Sequence, residues 1–201
     1  MTAGNPGVSG ATDGNAKARS AGRAARLFSE AGRLRDGTPV RVRPLVAADR
    51  GLLLAGFSGL SGRSRRSRFL RGVSDAQFER MLPVLLDTVE HQAHIAVLLY
   101  AEGRPIGVGR LRRYAADLNL ADLAVTVADD WHGRGAGTVL ARELLAHAGS
   151  LREIQTVVGR DNPASLRMLA RIGQLRSDCA SGTCDVVVRV NSAAGTGADA
   201  A

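Results

Sequence analysis

The chain has 201 residues, which is enough for one domain with a hydrophobic core and short for two. Lysine plus arginine total 27 against 19 acidic residues, the net charge is +8 at neutral pH, and Lys17 is the only lysine. Aromatic residues make up only 3% of the chain. Because nucleic-acid-binding surfaces interleave basic residues with aromatic side chains that stack on bases, this composition disfavours a nucleic-acid partner.

Hydrophobic run lengths and cysteine content exclude further classes. The longest apolar run, residues 95–101, is far shorter than the roughly 20 residues of a membrane-spanning helix. The N-terminus has no basic start followed by an apolar block, so we expect no secretory signal and a cytoplasmic protein. Cys179 and Cys184 are too few for a disulfide scaffold or a four-ligand zinc site, and no metal is expected. A hairpin turn between them would bring the two cysteines face to face, but two reduced thiols are the favoured interpretation.

Composition divides the chain into three segments. Residues 1–36 are rich in Ala, Gly, Arg and Ser, and we predict a disordered N-terminal tail because they bury too little apolar surface to fold. Residues 191–201 are small and polar and are predicted to form a second disordered tail. One folded domain is therefore expected at residues 37–190.

Within that domain, the hydrophobic pattern predicts a sequence of strands and helices that is typical of an α/β fold with a mixed sheet. In chain order the predicted elements are a strand at 40–45, helices at 49–57, 61–70 and from 74 or 75 through 82, strands at 94–100, 105–114 and 121–128, a helix at 135–147, a strand at 154–158, a helix at 163–171, and strands at 174–179 and 184–190.

The most informative segment is residues 125–138, where Gly133, Gly135 and Gly137 stand at the point where a strand must turn into a helix. Glycines at this position let backbone N–H groups face outward at the positive end of a helix, which makes a cradle for an anion. The segment lacks the lysine of a Walker loop and the third glycine of a dinucleotide fingerprint. Nucleoside triphosphates and NAD are therefore disfavoured as ligands.

The sequence His132-Gly-Arg-Gly-Ala-Gly137 resembles the pyrophosphate loop of the GNAT superfamily of N-acetyltransferases, with His132 in place of the usual Arg or Gln. Residues 161–173 resemble a second conserved block of that superfamily, an Asn before a helix that ends in Gly. Residues 34–45, 60–70 and 121–127 are similar to the acetyltransferase domain of bacterial protein lysine acetyltransferases. The resemblance implies one GNAT-like α/β domain with a mixed, mostly antiparallel sheet of about seven strands and about four helices.

The resemblance also implies a set of residues that bind the co-substrate acetyl-CoA. The backbone of the strand ending at Val127 would pair with the pantetheine arm, the loop would hold the pyrophosphate, and Asn162 would contact the coenzyme near the pantetheine. The full set is Val125, Thr126, Val127, His132, Gly133, Arg134, Gly135, Ala136, Gly137, Thr138 and Asn162. No metal is implied.

Asp122 is the candidate general base, because it interrupts an apolar strand where the subfamily carries Glu; an outward-facing structural aspartate is an equal alternative. The family tyrosine that protonates the departing thiolate would fall at Leu169. The first candidate acceptor is a protein lysine side chain, and the alternatives are a small-molecule amine or a non-catalytic acyl-CoA-binding regulatory module. The arginines between Arg63 and Arg71 form either a solvated helix face or one border of the acceptor cleft. The oligomeric state, monomer or homodimer, is left open.

Overall fold

The computed structural model describes residues 29–87 and 94–190. In this part of the chain, eight strands form one sheet that carries five α-helices. The strands are β1 Ser29–Arg33, β2 Pro39–Pro44, β3 His94–Ala101, β4 Arg104–Tyr114, β5 Asp117–Val127, β6 Glu153–Gly159, β7 Gly173–Ala180 and β8 Thr183–Val190. The helices are α1 Arg50–Ser58, α2 Gly62–Phe69, α3 Asp75–Asp87, α4 Ala136–Ala146 and α5 Pro163–Leu169. None of these helices is long and apolar enough to span a membrane.

The strand order across the sheet is β1-β2-β3-β4-β5-β6-β8-β7. Every neighbouring pair is antiparallel except β5 and β6, which are parallel. The predicted α/β fold with a mixed, mostly antiparallel sheet is therefore confirmed. The parallel pair joins only Leu120 to Glu153 and Ala121 to Ile154, so that β5 and β6 separate beyond Ala121.

The helices cover both faces of the sheet, and the alternation of side chains along β3 shows the division. Val97 and Leu99 belong to the main core cluster with Leu140 and Leu144 of α4. Their neighbours on β3 face the opposite side, toward α1 and α3. Helix α4 lies close to β4 because Gly109 has no side chain: a Cβ there would be 2.9 Å from Leu144 Cδ1. The candidate site lies where β5 and β6 separate, with α4 on one face of the sheet and α1, α2 and α3 on the other.

The structure moves the N-terminal boundary of the domain. Strand β1 pairs antiparallel with β2, and Leu34 is buried in the main core, so the prediction of a disordered tail is wrong for residues 29–36. The hydrophobic pattern does not reveal β1 because backbone pairing rather than apolar burial holds it; only its central residue, Ala31, is half-buried. The remainder of the two predicted tails, residues 1–28 and 191–201, lies outside the described residues.

The structure also corrects the interpretation of the cysteines. Ser181 and Gly182 form a two-residue turn with positive φ at both positions, which is the geometry that closes a tight β-hairpin. This turn places Cys179 of β7 directly opposite Cys184 of β8, and the two form a disulfide. The prediction of two reduced thiols is therefore wrong, and the hairpin alternative is the one that the structure adopts.

Candidate functional site

An open backbone edge lies on β5 where it separates from β6. The Ala128 N–H donates to the Ile106 carbonyl at 2.9 Å, which makes these two residues a hydrogen-bonded pair of the antiparallel β4–β5 ladder. Because such pairs alternate with non-hydrogen-bonded pairs, the N–H and C=O groups of Val125 and Val127 point away from β4, toward β6. Since β6 pairs with β5 only up to Ala121, these groups face the gap between the strands.

The two valines differ in what else they contact. The Val127 carbonyl accepts a hydrogen bond at 2.9 Å from His132 Nε2, so His132 carries its proton on that nitrogen. The carbonyl of Leu123, on the same edge, accepts from Thr156 Oγ1 at 3.4 Å. Between them, Val125 has no strand pairing on this side in the described structure. The Val127 carbonyl thus already has one partner, whereas Val125 faces the gap without strand pairing, and the contact of either valine with the coenzyme stays a prediction.

The glycine loop that follows β5 has the geometry of an anion cradle. Gly133 has φ +76° and Gly135 has φ +96°, a left-handed backbone that glycine adopts without strain. Gly135 is the N-cap of α4, so the N–H groups of Ala136 and Gly137 lie in its first turn and have no intrahelical acceptor. The Thr138 N–H, in contrast, donates to the Gly135 carbonyl at 3.0 Å.

The cradle and the open edge face the same space. A Cβ built on Gly137 would lie 3.8 Å from Val125 Cγ1, so the first turn of α4 lies beside the exposed part of β5. N–H donors at a helix N-terminus suit a phosphate group, and an unpaired strand edge suits an extended amide chain. Acetyl-CoA has both features, so the residues present fit this co-substrate.

The side chain of Arg134 contacts the turn between β1 and β2 and the Trp131 ring, and its predicted contact with the coenzyme stays a prediction. It forms an ion pair with Asp36, donates to Thr38 Oγ1 at 3.0 Å, and places its guanidinium carbon 4.0 Å from the centre of the Trp131 ring. In addition, the Arg35 N–H donates to the Arg134 carbonyl at 3.0 Å. Arg134 therefore connects the turn between β1 and β2, residues 34–38, to the glycine loop.

Sequence reasoning missed this support because residues 34–36 were assigned to the tail and no motif marks the turn. Hydrogen bonds from the backbone and side chain of Thr38, followed by the one from Arg134, lower the pKa of the Asp36 carboxyl to about 2. The ion pair is therefore intact across the neutral range.

Asp129 connects the same loop to α2. Its carboxylate accepts hydrogen bonds from the Ser61 N–H at 2.6 Å, from Ser61 Oγ at 3.2 Å and from Ser64 Oγ. Burial alone would raise the pKa of Asp129, but the hydrogen bonds from Ser64 and Ser61 lower it below its usual value. A loop carboxylate thus caps the N-terminus of a helix that is distant in sequence.

Asn162 lies at the N-cap of α5, as the sequence predicts. Its Oδ1 accepts from the Ser165 N–H at 3.1 Å, and its Nδ2 donates to Ser165 Oγ at 2.8 Å. Both ends of the side chain therefore bond within the cap. The contact between Asn162 and the coenzyme stays a prediction.

A pocket of about 290 Å³ lies on the other face of β4 and β5, beneath α1, α2 and α3. It includes Ala124 and Thr126, which alternate with Val125 and so face away from α4. Of the described residues that line it, only Arg68, Arg110 and Thr126 have polar side chains. The remaining lining is glycine or apolar: Leu45, Leu52, Leu53, Ala55, Gly56, Phe57, Leu60, Phe69, Phe78, Leu85, Leu98, Pro105, Ile106, Gly107, Val108, Ala124 and Ala128.

Asp122 lies on the face of β5 that carries Ala124 and Thr126, and it is the cross-strand partner of Arg112. It is half-buried. Its carboxylate acts electrostatically on the two pocket arginines, raising the pKa of both, although burial is the larger effect and lowers both pKa values. The candidate base is therefore placed beside the pocket, in a cluster that is rich in positive charge.

The arginines of α2 separate into different environments. Arg65 donates to the Leu60 and Ser58 carbonyls, forms an ion pair with Asp75 and lies over the Phe57 ring, so it ties α2 to its neighbours. Arg68, in the last turn, lines the pocket, whereas Arg63 is exposed. The run is neither a uniform solvated face nor a uniform cleft border. Among residues 29–87 and 94–190, no group of three or more His, Cys, Asp or Glu is arranged to hold a metal ion.

Comparison with known proteins places this arrangement in a family. The sequence profile of the acetyltransferase (GNAT) family matches residues 63–174. The chain is 32% identical over 149 residues to acetyltransferase PA5475 of Pseudomonas aeruginosa, a match that covers 70% of this chain and 77% of the relative. The fold is similar to the GNAT domain of S. lividans PAT, with a TM-score of 0.67 at 20% identity over 81% of this chain and 97% of that one. It is also similar to Mycobacterium smegmatis RimJ in complex with CoA-disulfide, with a TM-score of 0.59 at 15% identity over 82% and 87% of the two chains. The chain therefore belongs to the GNAT family of acetyltransferases.

Proposed function

We propose that this N-acetyltransferase acetylates a primary amine by direct attack on acetyl-CoA, and that its first candidate acceptor is the side chain of a protein lysine. The observation that carries the proposal is the meeting of three features at Val125: an unpaired strand edge, the first turn of α4 and, across the strand, the lining of a pocket. The resemblance of residues 121–127 to protein lysine acetyltransferases supports the choice of lysine.

Acetyl-CoA supplies the thioester whose acetyl group is transferred. In our proposal the chain holds this co-substrate by its backbone. The outward N–H groups of Gly133, Ala136 and Gly137 bind the pyrophosphate, and the main-chain groups of Val125 pair with the pantetheine amides. An N–H that is fixed in a strand needs no reorganisation when negative charge develops on the carbonyl oxygen, which is how such a donor lowers the barrier.

The attacking amine must lose a proton. A lysine amine has an ordinary pKa near 10.4, so roughly one in 10³ is unprotonated at neutral pH. In our proposal Asp122 accepts this proton, directly or through a water molecule. It is half-buried on the pocket face of β5, two residues before the pocket-lining Ala124. Leu169, 2% exposed in the main core, has no acidic proton to replace that of the family tyrosine, so in our proposal solvent protonates the thiolate.

A small-molecule amine is the second candidate acceptor, and the pocket supports it. A cavity of about 290 Å³ beneath three helices has room for a small molecule as well as for one inserted side chain. The two candidates share the chemistry and differ in what surrounds the amine.

The test is the release of free thiol from acetyl-CoA with a panel of amines: peptides with an internal and with a C-terminal lysine, a free amino acid, a polyamine and small aromatic and aliphatic amines. Asp122→Asn is expected to lower kcat by about 100-fold without changing the affinity for acetyl-CoA, because it removes a general base and no coenzyme contact. Asp185→Asn, at an exposed strand position of β8, is the matched control. Absence of thiol release with every amine would contradict the proposed function, and unchanged kcat in Asp122→Asn would contradict the role of Asp122.

A further inference from the structure

Arg68 and Arg110 are the feature of the acceptor pocket that acetyl transfer itself does not require. They come from different elements, the last turn of α2 and the middle of β4, and both line the same small cavity. Apart from Thr126, every other described residue of the lining is glycine or carries an apolar side chain, and none is acidic. Two guanidinium groups in such surroundings indicate a site that selects its ligand by charge.

The position of Arg110 brings one of these charges near the proposed reaction site. Arg110 is the cross-strand partner of Ala124, which immediately precedes Val125. Directly paired residues of an antiparallel ladder have Cα atoms about 5.5 Å apart when they are hydrogen-bonded. Arg110 and Ala124 also line the same pocket, so a ligand group that binds Arg110 lies in the cavity that adjoins the proposed point of attack.

Within residues 29–87 and 94–190, the charges that act on the two pocket arginines are mostly positive. Burial lowers the pKa of Arg68, and the charge of Arg110 lowers it further, whereas Asp122 raises it. For Arg110, burial is again the main cause of a lowered pKa, the charge of Arg112 adds to it, and Asp122 opposes it. Among the described residues, the charges that act on these two arginines come from one carboxylate, Asp122, and from the neighbouring guanidinium groups. An additional anion in the pocket would be attracted, and a polycationic acceptor would be repelled.

We propose that Arg68 and Arg110 bind a carboxylate of the acceptor, so that the pocket selects primary amines that carry a carboxylate and an apolar stem on the same molecule or chain end. The planar guanidinium group matches a carboxylate through paired hydrogen bonds, and the leucine and phenylalanine side chains of the lining match the stem. This assignment rests on the proposed acetyl transfer to an amine and names its substrate class. A free apolar amino acid and the C-terminal lysine of a peptide share this chemistry.

The test compares acceptors that differ only in the carboxylate: phenylalanine with 2-phenylethylamine, and a short peptide ending in lysine with the same peptide amidated at its C-terminus. We expect kcat/KM to be about 10- to 100-fold higher for the carboxylate-bearing member of one pair, since charged hydrogen bonds contribute on that scale. The pair that shows the preference identifies the source of the carboxylate.

Arg68→Gln and Arg110→Gln are each expected to reduce that preference at least tenfold. Arg63→Gln, an exposed arginine of the same helix as Arg68, is the matched control and should keep it. The ratio of two substrates on one enzyme preparation does not depend on the fraction of folded protein, so partial unfolding of a variant does not obscure the result. Equal kcat/KM within both pairs in the wild type, or a preference that survives both arginine substitutions, would overturn the assignment.

A binding measurement separates this inference from the proposed function. Calorimetry in the presence of coenzyme A compares N-acetylphenylalanine with N-acetyl-2-phenylethylamine, neither of which can react. Tighter binding of the carboxylate, lost in Arg68→Gln, supports the pocket assignment even if no amine is acetylated. Acetylation of amines with no such difference in binding refutes the assignment and leaves acetyl transfer intact.

Discussion

Replacing Asp49 by alanine should destabilise the domain far more than replacing a carboxylate of an exposed ion pair. Arg43 Nη2 lies 2.7 Å from Asp49 Oδ1, and the two side chains are only 6% and 7% exposed. The same carboxylate accepts from Arg43 Nη1 at 2.8 Å and from the Val46 N–H at 2.9 Å. Its hydrogen bonds raise the pKa of Arg43, although burial opposes this. Asp49 therefore holds a buried cation immediately before α1, a helix that lines the pocket of about 290 Å³.

The magnitude follows from leaving that cation without its carboxylate. Breaking a buried ion pair by removing one partner costs about 3 to 5 kcal/mol. In a domain of this size each kcal/mol lowers Tm by about 2 to 4 °C, so Asp49→Ala should lower Tm by about 6 to 20 °C. The matched control is Glu79→Ala. Glu79 pairs with Arg50 at 2.8 Å, but with side chains 55% and 43% exposed, so its loss should cost at most about 1 kcal/mol.

Calorimetry and urea unfolding of both variants measure the difference. If Asp49→Ala is too unstable to purify, the double variant Arg43→Met, Asp49→Leu gives the same information, because removing both charges should restore much of the lost stability. Equal destabilisation by Asp49→Ala and Glu79→Ala would refute the reasoning, as would a double variant that is no more stable than Asp49→Ala.

Two further predictions concern the glycine loop. Gly135→Ala should weaken acetyl-CoA binding about tenfold in calorimetry, because alanine is strained by roughly 1 to 2 kcal/mol at φ +96° and its Cβ would lie 3.4 Å from Arg35 Cγ. The control Gly103→Ala, at φ +75° in the β3–β4 turn, should lose similar stability and keep its affinity for acetyl-CoA. Equal affinities of the two variants for acetyl-CoA would contradict the cradle. Asp129→Asn should cost about 1 kcal/mol in urea unfolding at pH 7. Because the folded-state pKa of Asp129 is lowered, its contribution to the free energy of unfolding is present above its ordinary pKa near 3.9 and is lost as the pH falls through the lower folded value. If the stability difference between wild type and variant were as large at pH 2 as at pH 7, that would be evidence against this role.

The strand edge and the glycine loop of the candidate coenzyme site were predictable because they are contiguous in sequence. One run of residues, 125–138, contains the strand edge, the glycines and the start of α4, and the turn chemistry of glycine at a strand-to-helix junction is local. The sequence could not show that the Val127 carbonyl accepts a hydrogen bond from His132, or that Arg134 forms an ion pair with Asp36. Both contacts depend on where side chains point after the loop has folded.

The proposed acceptor pocket was not predictable in the same way, since six elements, α1, α2, α3, β3, β4 and β5, contribute to its lining. The arginines between 63 and 71 look alike in sequence, yet Arg65 binds Asp75 and Arg68 lines the pocket, because their directions are set by the packing of α2 on β5. Arg110 carried no signal at all, as one arginine among several along β4. Strand β1 was missed for a related reason: backbone pairing holds it, and the hydrophobic pattern does not report backbone pairing.

Besides β5, which carries parts of both halves of the candidate site, Asp129 connects the glycine loop to α2 directly. Asp129 belongs to the turn that leads into the glycine loop, and it holds Ser61 and Ser64 at the start of α2. The opposite end of that short helix carries Arg68 in the pocket. If the loop binds coenzyme and Arg68 binds the acceptor, as proposed, a ligand that orders the loop also orders α2, and by linkage the bound acceptor favours the coenzyme-binding loop conformation. The acceptor and acetyl-CoA should consequently bind with positive coupling, and this coupling should fall in Asp129→Asn while both ligands still bind.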